Sequence, residues 1–398
     1  MAASTLSGEL KSYARSVGFD LVGITTAEPF ADAERALVER IDSGLMRGLA
    51  WFTADRARFA ADPRNHLPDA QSIVSLGMSY LSTGAGPGEG QTSPPTVGSV
   101  GPRLRQGDDG SLSGVVARYA WGSDYHRVVG DRLKLVAKWL SSHSGATRPT
   151  RLFVDTGRVI ERAVAQRAGL GWFGKNTNIL TRGYGSWVFL SEILTDARLE
   201  PDEPSRARCG SCCRCLEACP TGAIVAPGVL DNARCISFLT VELRGWIPRD
   251  LRSAMGTRVF GCDVCQDVCP VNRKARAGDH PEFAPSRGIG PSPSLLPLLR
   301  LAPGEFHARF EGTPIVRAKR GGLLRNAAVA LGNLGAKAAV PALAEAIGDP
   351  DPVVRGHSAW ALGRIGGRQA RAALEDALGR EEDPAVRSEI AQGLERSG

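Results

Sequence analysis

The sequence predicts a three-part chain of α+β/α class: an N-terminal α/β domain over residues 1–200, a cysteine-rich segment over 201–280, and a C-terminal stack of helix pairs over 281–398. Three observations predict it. Short apolar runs alternate with helical periods in the first half. All nine cysteines fall between residues 209 and 269. A seven-residue motif near the C-terminus returns 31 residues later. At 398 residues the chain has room for two or three domains.

The elements of the first half follow in order. Residues 6–17 place Leu6, Leu10, Tyr13, Ala14 and Val17 at the helical period and stop at Gly18, which predicts a helix. Leu21-Val22-Gly23-Ile24 reads as a strand and residues 31–41 as a second helix. Ile73-Val74-Ser75-Leu76-Gly77-Met78 reads as a buried strand after a proline-containing turn. Between residues 82 and 113 Gly, Pro, Ser and Thr dominate, a composition that buries too little apolar surface to order itself, so a mobile surface loop is expected. Structure resumes at Val115-Val116-Ala117-Arg118-Tyr119-Ala120. A helix over residues 125–142 follows, then a strand at Arg151-Leu152-Phe153-Val154-Asp155, a helix over residues 159–168 that stops at Gly169, and a last strand over residues 186–193.

The cysteine segment carries the chemistry. Cys209, Cys212, Cys215 and Cys219, followed by Pro220, give C-x2-C-x2-C-x3-C-P, the bacterial ferredoxin run in which three thiolates hold one [4Fe-4S] cluster and the fourth holds another. Cys262, Cys265 and Cys269, followed by Pro270, repeat the end of that run, with Cys235 as the remaining thiolate upstream of a long insertion. The spacing therefore assigns Cys209, Cys212, Cys215 and Cys269 to one cluster and Cys235, Cys262, Cys265 and Cys219 to the other. Structural zinc is the competing reading, but zinc requires neither a third cysteine three residues on nor the C-P ending. A disulfide framework fits poorly with a long chain that lacks a secretory layout and confines its cysteines to one stretch. Cys213 is out of register and reads as a small buried hydrophobe or an idle thiol. Two one-electron clusters make this segment a source of electrons.

After Pro281 a proline-rich linker leads into the repeats. Asn326-Ala-Ala-Val-Ala-Leu-Gly332 returns as His357-Ser-Ala-Trp-Ala-Leu-Gly363, and Val354-Arg355 returns 32 residues later as Val386-Arg387. With Asp349-Pro-Asp-Pro352 and Asp383-Pro384 as turns, the pattern is that of short HEAT-like repeats. Arg325, Arg355, Arg364 and Arg387 are expected along one edge, either as a solvated face or as a phosphate grip. The balance of 49 Lys+Arg against 42 Asp+Glu, a net charge of +7, permits a polyanionic partner without requiring one. No stretch of eighteen apolar residues exists and the N-terminus lacks a signal-peptide layout, so a soluble, cytoplasmic protein without a membrane partner is expected.

Two motifs mislead. Gly169-Leu-Gly171-Trp-Phe-Gly174 matches G-x-G-x-x-G but follows a helix instead of a strand, so it lacks the context of a dinucleotide site. Asp124-Tyr-His126 nearly matches the D-x-H-x-x-G that gives cobalt a histidine ligand in some cobalamin enzymes, yet Val129 stands where glycine is needed.

Three strings in order are more specific. They are Ala117-Arg118-Tyr119-Ala120-Trp-Gly122-Ser-Asp124-Tyr125-His126, then Val154-Asp155-Thr156-Gly157, then Ala168-Gly169-Leu-Gly-Trp172-Phe-Gly174-Lys175-Asn176-Thr-Asn178. Together with the eight in-register cysteines and the terminal repeats, they make the chain resemble the epoxyqueuosine reductases over residues 18–394. The resemblance implies a cobalamin-dependent oxidoreductase that reduces the epoxide of epoxyqueuosine at the tRNA wobble position, the last step of queuosine formation. It implies base-off cobalamin in the N-terminal domain with no protein ligand beneath cobalt, in keeping with the failed histidine motif. Two [4Fe-4S] clusters would reduce Co(II) to Co(I), fed by an external flavodoxin- or ferredoxin-type donor to a monomer, and the repeats would help hold the anticodon stem-loop. Carried over residue by residue, it makes Asp155 the proton donor and Arg118, Tyr119, Asp124, Tyr125, His126, Trp172, Lys175 and Asn176 the cofactor contacts.

The chemistry is consistent with these parts. Removing an epoxide oxygen as water takes two electrons, two protons and a nucleophile able to open the ring, and the resulting alkoxide needs a positioned acid. Asp155 follows a strand, where α/β sheets open ligand crevices. Spacing alone would make it the N-cap of the next helix, and the resemblance favours catalysis. As an acid it is expected in a poorly solvated crevice with a raised pKa. A cobalamin and iron-sulfur reductase of another substrate, such as a dehalogenase, and a non-catalytic electron-transfer adaptor are the alternatives.

Overall fold

The computed structural model describes residues 3–82 and 112–396. The expected loop lies outside the described residues except at its ends, where Ser82 bridges Gly278 and Ser113 bridges Ser294. Helices α1 (Ala3–Ser16), α2 (Ala31–Asp42), α3 (Ala54–Ala61), α4 (Tyr125–His143) and α5 (Glu161–Arg167) surround strands β1 (Leu21–Thr26), β2 (Ser72–Ser79), β3 (Val115–Val116), β4 (Arg151–Phe153), β5 (Gly171–Phe173), β6 (Ile179–Thr181) and β7 (Val188–Thr195). Four of the strands form one sheet in the order β1-β2-β7-β4, and every neighbouring pair is antiparallel.

That pairing corrects one inference. A strand buried on both faces, as β2 is throughout, reads as a continuous apolar run whichever way its neighbours point. The rule that places ligands at the carboxyl ends of parallel strands therefore does not apply to Asp155, although the residue does lie just beyond the end of β4. One sheet face, with Val74, Leu76, Phe189 and Ile193, packs on Leu6 and Leu10 of α1 and Leu133, Val136 and Leu140 of α4. The other, with Ile73 and Leu194, packs on Ala163 and Val164 of α5.

The insertion between Cys235 and Cys262 does not float free. Its helix Ile236–Val241 and its strand Arg258–Phe260, which runs parallel to β3, share one apolar core with the repeat helices Lys319–Leu334, Pro352–Ile365 and Pro384–Arg396. The repeated glycines have a packing reason. A Cβ on Gly332 would lie 2.9 Å from the Ala361 Cα, and one on Gly363 would lie 2.4 Å from the Gly393 Cα, so each lets two helices cross closely. Asp351 accepts the Val353 N–H and caps the helix Pro352–Ile365, as the Asp-Pro turn predicts.

The four arginines do not form one solvated edge. Arg325 is fully buried and donates to the carbonyl oxygens of Leu239, Leu243 and Gly245. Arg355 pairs with Glu381 at 2.7 Å, and Arg387 donates to the Leu378 and Glu381 carbonyls. Arg364 alone of the four is exposed without such a bond, its guanidinium 5.6 Å from the Trp360 ring centroid. Carbonyls left over at helix ends are strong acceptors, and here they draw Arg325 into the core and hold Arg387 at the surface.

Candidate active site

The thiols gather in two fours. Cys215 feels the charges of Cys269, Cys209 and Cys212, while Cys265 feels those of Cys262, Cys235 and Cys219. Two short helices, Arg214–Glu217 and Val264–Asp267, present the C-x2-C and C-x3-C ligand loops to one another. Burial pushes the Cys215 thiol up to about 11 and the Cys262 thiol up to about 12, so only a cation that replaces the protons makes these groups thiolates at neutral pH. Among the described residues no three His, Cys, Asp or Glu side chains close around a point as donors to a single ion would, and the two fours are looser groupings than that. Cys213 belongs to neither, and its Sγ lies 3.7 Å from the Lys175 Nζ.

Asp155 is the focus of a second group. Its Oδ2 accepts from the Tyr125 hydroxyl at 2.6 Å and from the Arg317 Nη1 at 2.9 Å, and stands 3.5 Å from the His126 Nε2. Tyr125 and His126 reach it because they open α4, whose N-cap is Asp124. That carboxylate accepts the His126 N–H at 3.0 Å and faces the His126 Nδ1 at 2.8 Å. The helix after Asp155 is capped instead at Ile160, with no side-chain bond, so Asp155 is not a cap. Tyr119 and Tyr125 stand edge to face with centroids 6.2 Å apart, and Tyr125 stacks on Phe189 at 4.3 Å.

The expected raised pKa is not found. Burial alone would raise the Asp155 carboxyl, but hydrogen bonds from His126 and Tyr125 and the Arg317 charge outweigh it and hold the group well below the carboxylate range. The side chain is also 45% exposed, so the crevice is not dry. His126 moves the other way. Burial opposes its charge, yet Asp124 and Asp155 raise it to about 9, so it is an imidazolium at neutral pH with both ring nitrogens turned to carboxylates. Burial and the Asp155 charge likewise raise the Tyr125 phenol.

The remaining predicted contacts lie apart from this group. Arg118 is 2% exposed, stacks between Trp121 and Trp187 at 4.8 and 5.3 Å, and donates its backbone N–H to Asp263 of the cysteine segment. Lys175 donates to the Gly210 carbonyl at 2.8 Å and Asn176 to the Cys265 carbonyl at 3.4 Å, so the β5–β6 hairpin turn grips both cysteine loops. Trp172 lines a cavity of about 510 Å³ with Arg15, Arg182, Arg206 and Arg208, and its Nε1 is buried without a partner. No residue of the Asp155 group lines that cavity.

Sequence reading missed three groups at the centre. Arg317 lies 162 positions from Asp155 and joins it to Glu242, whose Oε1 is 2.9 Å from the Arg317 Nη2. Glu161 accepts the Asp155 backbone N–H, and Glu192 lies buried in β7. No local spacing signals a contact across half the chain. A glutamate at position 192 of an apolar strand was a visible anomaly.

Family models match three stretches of the chain. Residues 61–156 match the family model described as Epoxyqueuosine reductase QueG, DUF1730, residues 208–272 match a 4Fe-4S double cluster binding domain, and residues 316–395 match HEAT repeats. The chain is 38% identical over 391 residues to the epoxyqueuosine reductase of Bacillus subtilis, covering 98% of this chain and 95% of that protein. It is 36% identical over 357 residues to that of Escherichia coli, covering 89% and 88%. A solved epoxyqueuosine reductase with an epoxyqueuosine-modified tRNA stem loop superposes with a TM-score of 0.86 at 38% identity, covering 99% of both chains. The Streptococcus thermophilus enzyme superposes with a TM-score of 0.82 at 29% identity, covering 98% of each.

Proposed function

The chain belongs to the epoxyqueuosine reductase family, and from that premise we propose that it reduces the epoxide of epoxyqueuosine in tRNA to give queuosine, with Asp155 passing a proton to the departing oxygen. The observation that carries this reading is the convergence of Tyr125, His126 and Arg317 on one oxygen of Asp155. A relative with nearly the same fold is described with an epoxyqueuosine-modified stem loop, which supports a tRNA substrate here.

The two fours of cysteines would hold two [4Fe-4S] clusters, each thiol losing its proton to iron. Electrons reach them one at a time from an external flavodoxin- or ferredoxin-type donor. The Asp155 group suits base-off cobalamin by its donor set. His126 bonds Asp124 through Nδ1 and turns Nε2 toward Asp155 at 3.5 Å, and as an imidazolium it has no lone pair to place beneath a metal. Tyr119 and Tyr125 form an aromatic wall next to the exposed carboxylate, and Trp172, Lys175 and Asn176 on the hairpin are further candidates to hold the group. When bound, cobalamin supplies the nucleophile that opens the epoxide.

The protein's own part is proton handling. A carboxylate held this low does not store a proton at neutral pH, so the store is His126. As charge develops on the substrate oxygen, a proton on the His126 Nε2 moves to the Asp155 Oδ2 and on to that oxygen, while Tyr125 and Arg317 fix the carboxylate's direction. Cobalamin titration followed by absorbance and electron paramagnetic resonance tests the assignment. The bound Co(II) form should lack nitrogen superhyperfine splitting, and splitting that disappears in His126→Gln would reject it.

A further inference from the structure

Behind Asp155 lies a pair of carboxyl groups that this proton path does not use. Glu161 opens α5, and Glu192 stands in the middle of β7 with 0% of its surface exposed. Alternation along β7 puts Glu192 on the face of Leu194, toward α5, while Phe189 and Ile193 face α1 and α4. Ser75 sits directly across from it on β2. Both carboxyl oxygens of Glu192 and the Ser75 Oγ are buried without a hydrogen-bond partner. After burial itself, the strongest influence on Glu192 is the charge of Glu161.

Two carboxylates facing one another are four acceptors and no donor. In a layer walled by Ile73, Val164 and Leu194 such a pair cannot ionise twice. One proton changes the count. An O–H on Glu192 reaches Glu161, the Ser75 hydroxyl donates to the other Glu192 oxygen, and the three unpaired atoms are satisfied together. Burial and neighbouring negative charge raise both groups, Glu161 to about 8. The other ionisable groups facing the pair are Asp155, which raises both, and Arg162 and His126, which favour the charged form of Glu161.

Glu161 also holds the backbone of Asp155, accepting its N–H at 2.5 Å. That N–H belongs to a three-residue turn closed by the Thr156 N–H on the Val154 carbonyl at 2.6 Å, with Asp155 at φ +55°. Three-residue turns with positive φ are rare and strained, and they persist where a second contact holds them.

We propose that Glu161 and Glu192 share one proton and together position Asp155. With the proton present, Glu161 stays available to the Asp155 N–H. Its loss to solvent sets two buried carboxylates against each other and releases the turn. The inference rests on the catalytic reading of Asp155. Glu161 is a positioning residue, since it touches Asp155 and not the substrate.

Infrared spectra of the cluster-containing protein test the pair without turnover. The wild type should show a protonated carboxylic acid at pH 7 that disappears as pH rises through about 8. Glu192→Gln, which gives Glu161 a permanent N–H donor, should lack that band. Deuterium uptake at the Asp155 amide, taken relative to the base-catalysed rate of an unprotected amide at each pH, should quicken over the same pH range in the wild type and stay level in Glu192→Gln. Glu161→Ala should speed the uptake at least about tenfold and lower kcat roughly 10- to 100-fold with little change in KM. Glu161→Gln, which keeps the acceptor oxygen, should restore both. The proposal is overturned if the wild type shows no acid band beyond that of Glu192→Gln, or if Glu161→Ala leaves uptake unchanged. Retained turnover in Asp155→Asn would sink the catalytic reading by itself, and the band and the uptake would still decide the pair.

Discussion

At Asp155 burial and charge pull in opposite directions, and charge wins because three donors meet one carboxylate that is still 45% exposed. The proton then resides on His126, with a consequence for pH. Turnover should fall as pH rises through about 9, where the imidazolium is lost, and His126→Gln should remove that limb while lowering kcat by about 10²–10⁴-fold. The same shift bears on stability. A histidine whose folded pKa lies above the unfolded 6.5 stabilises the fold fully below that value and loses the contribution through about 9, so His126→Gln should flatten the melting temperature over that range. Removing Arg317 takes away a cation 2.9 Å from the carboxylate, so Arg317→Met should raise the Asp155 pKa toward its ordinary value, read from carbon-labelled aspartate by NMR. Asp155, Tyr125 and His126 were singled out through two of the three strings, and the structure brings their side chains together. The direction of the Asp155 shift was not, because its cause includes an arginine from the far end of the chain.

Elements were legible where one periodicity governs a whole segment. The strand expected at residues 73–78 is Ser72–Ser79, and the helix expected at residues 125–142 is Tyr125–His143. The β5–β6 hairpin was missed because its three-residue strands are too short to show alternation, and its turn depends on Thr177 at φ +67°. In the repeats the glycine spacing was read as period alone, while the structure makes each glycine a helix crossing. Arg325 does not join the expected edge because its guanidinium turns to carbonyls, a contact that looks in sequence like one to phosphate. Arg325→Met should therefore destabilise the protein by about 2–3 kcal/mol, since one buried and two half-buried carbonyl acceptors lose their donor, and thermal unfolding should show it. Weaker RNA binding at undiminished stability would contradict that account.

Across the whole molecule, one side chain touches all three sequence parts. Arg317 begins in the repeat half, touches Glu242 beside the cysteine-segment helix, and ends on Asp155. The cluster segment and the repeats were visible in spacing and period. Their contact was not, because it depends on side chains meeting across sequence distances that leave no periodic trace. Eight thiols in two fours require about eight iron and eight sulfide per chain, with Cys212→Ser losing about half and Cys213→Ser none, measured by iron and sulfide analysis of anaerobic protein. Zinc in place of iron would contradict the ligand assignment. The most direct measurement is conversion of an epoxyqueuosine-bearing tRNA stem-loop by protein loaded with clusters and cobalamin under reducing conditions, wild type beside Asp155→Asn. The account predicts queuosine from the wild type and a rate about 10²–10⁴-fold lower from the variant, with cluster and cobalamin spectra unchanged. No queuosine from the loaded wild type, or equal rates from both proteins, would contradict it.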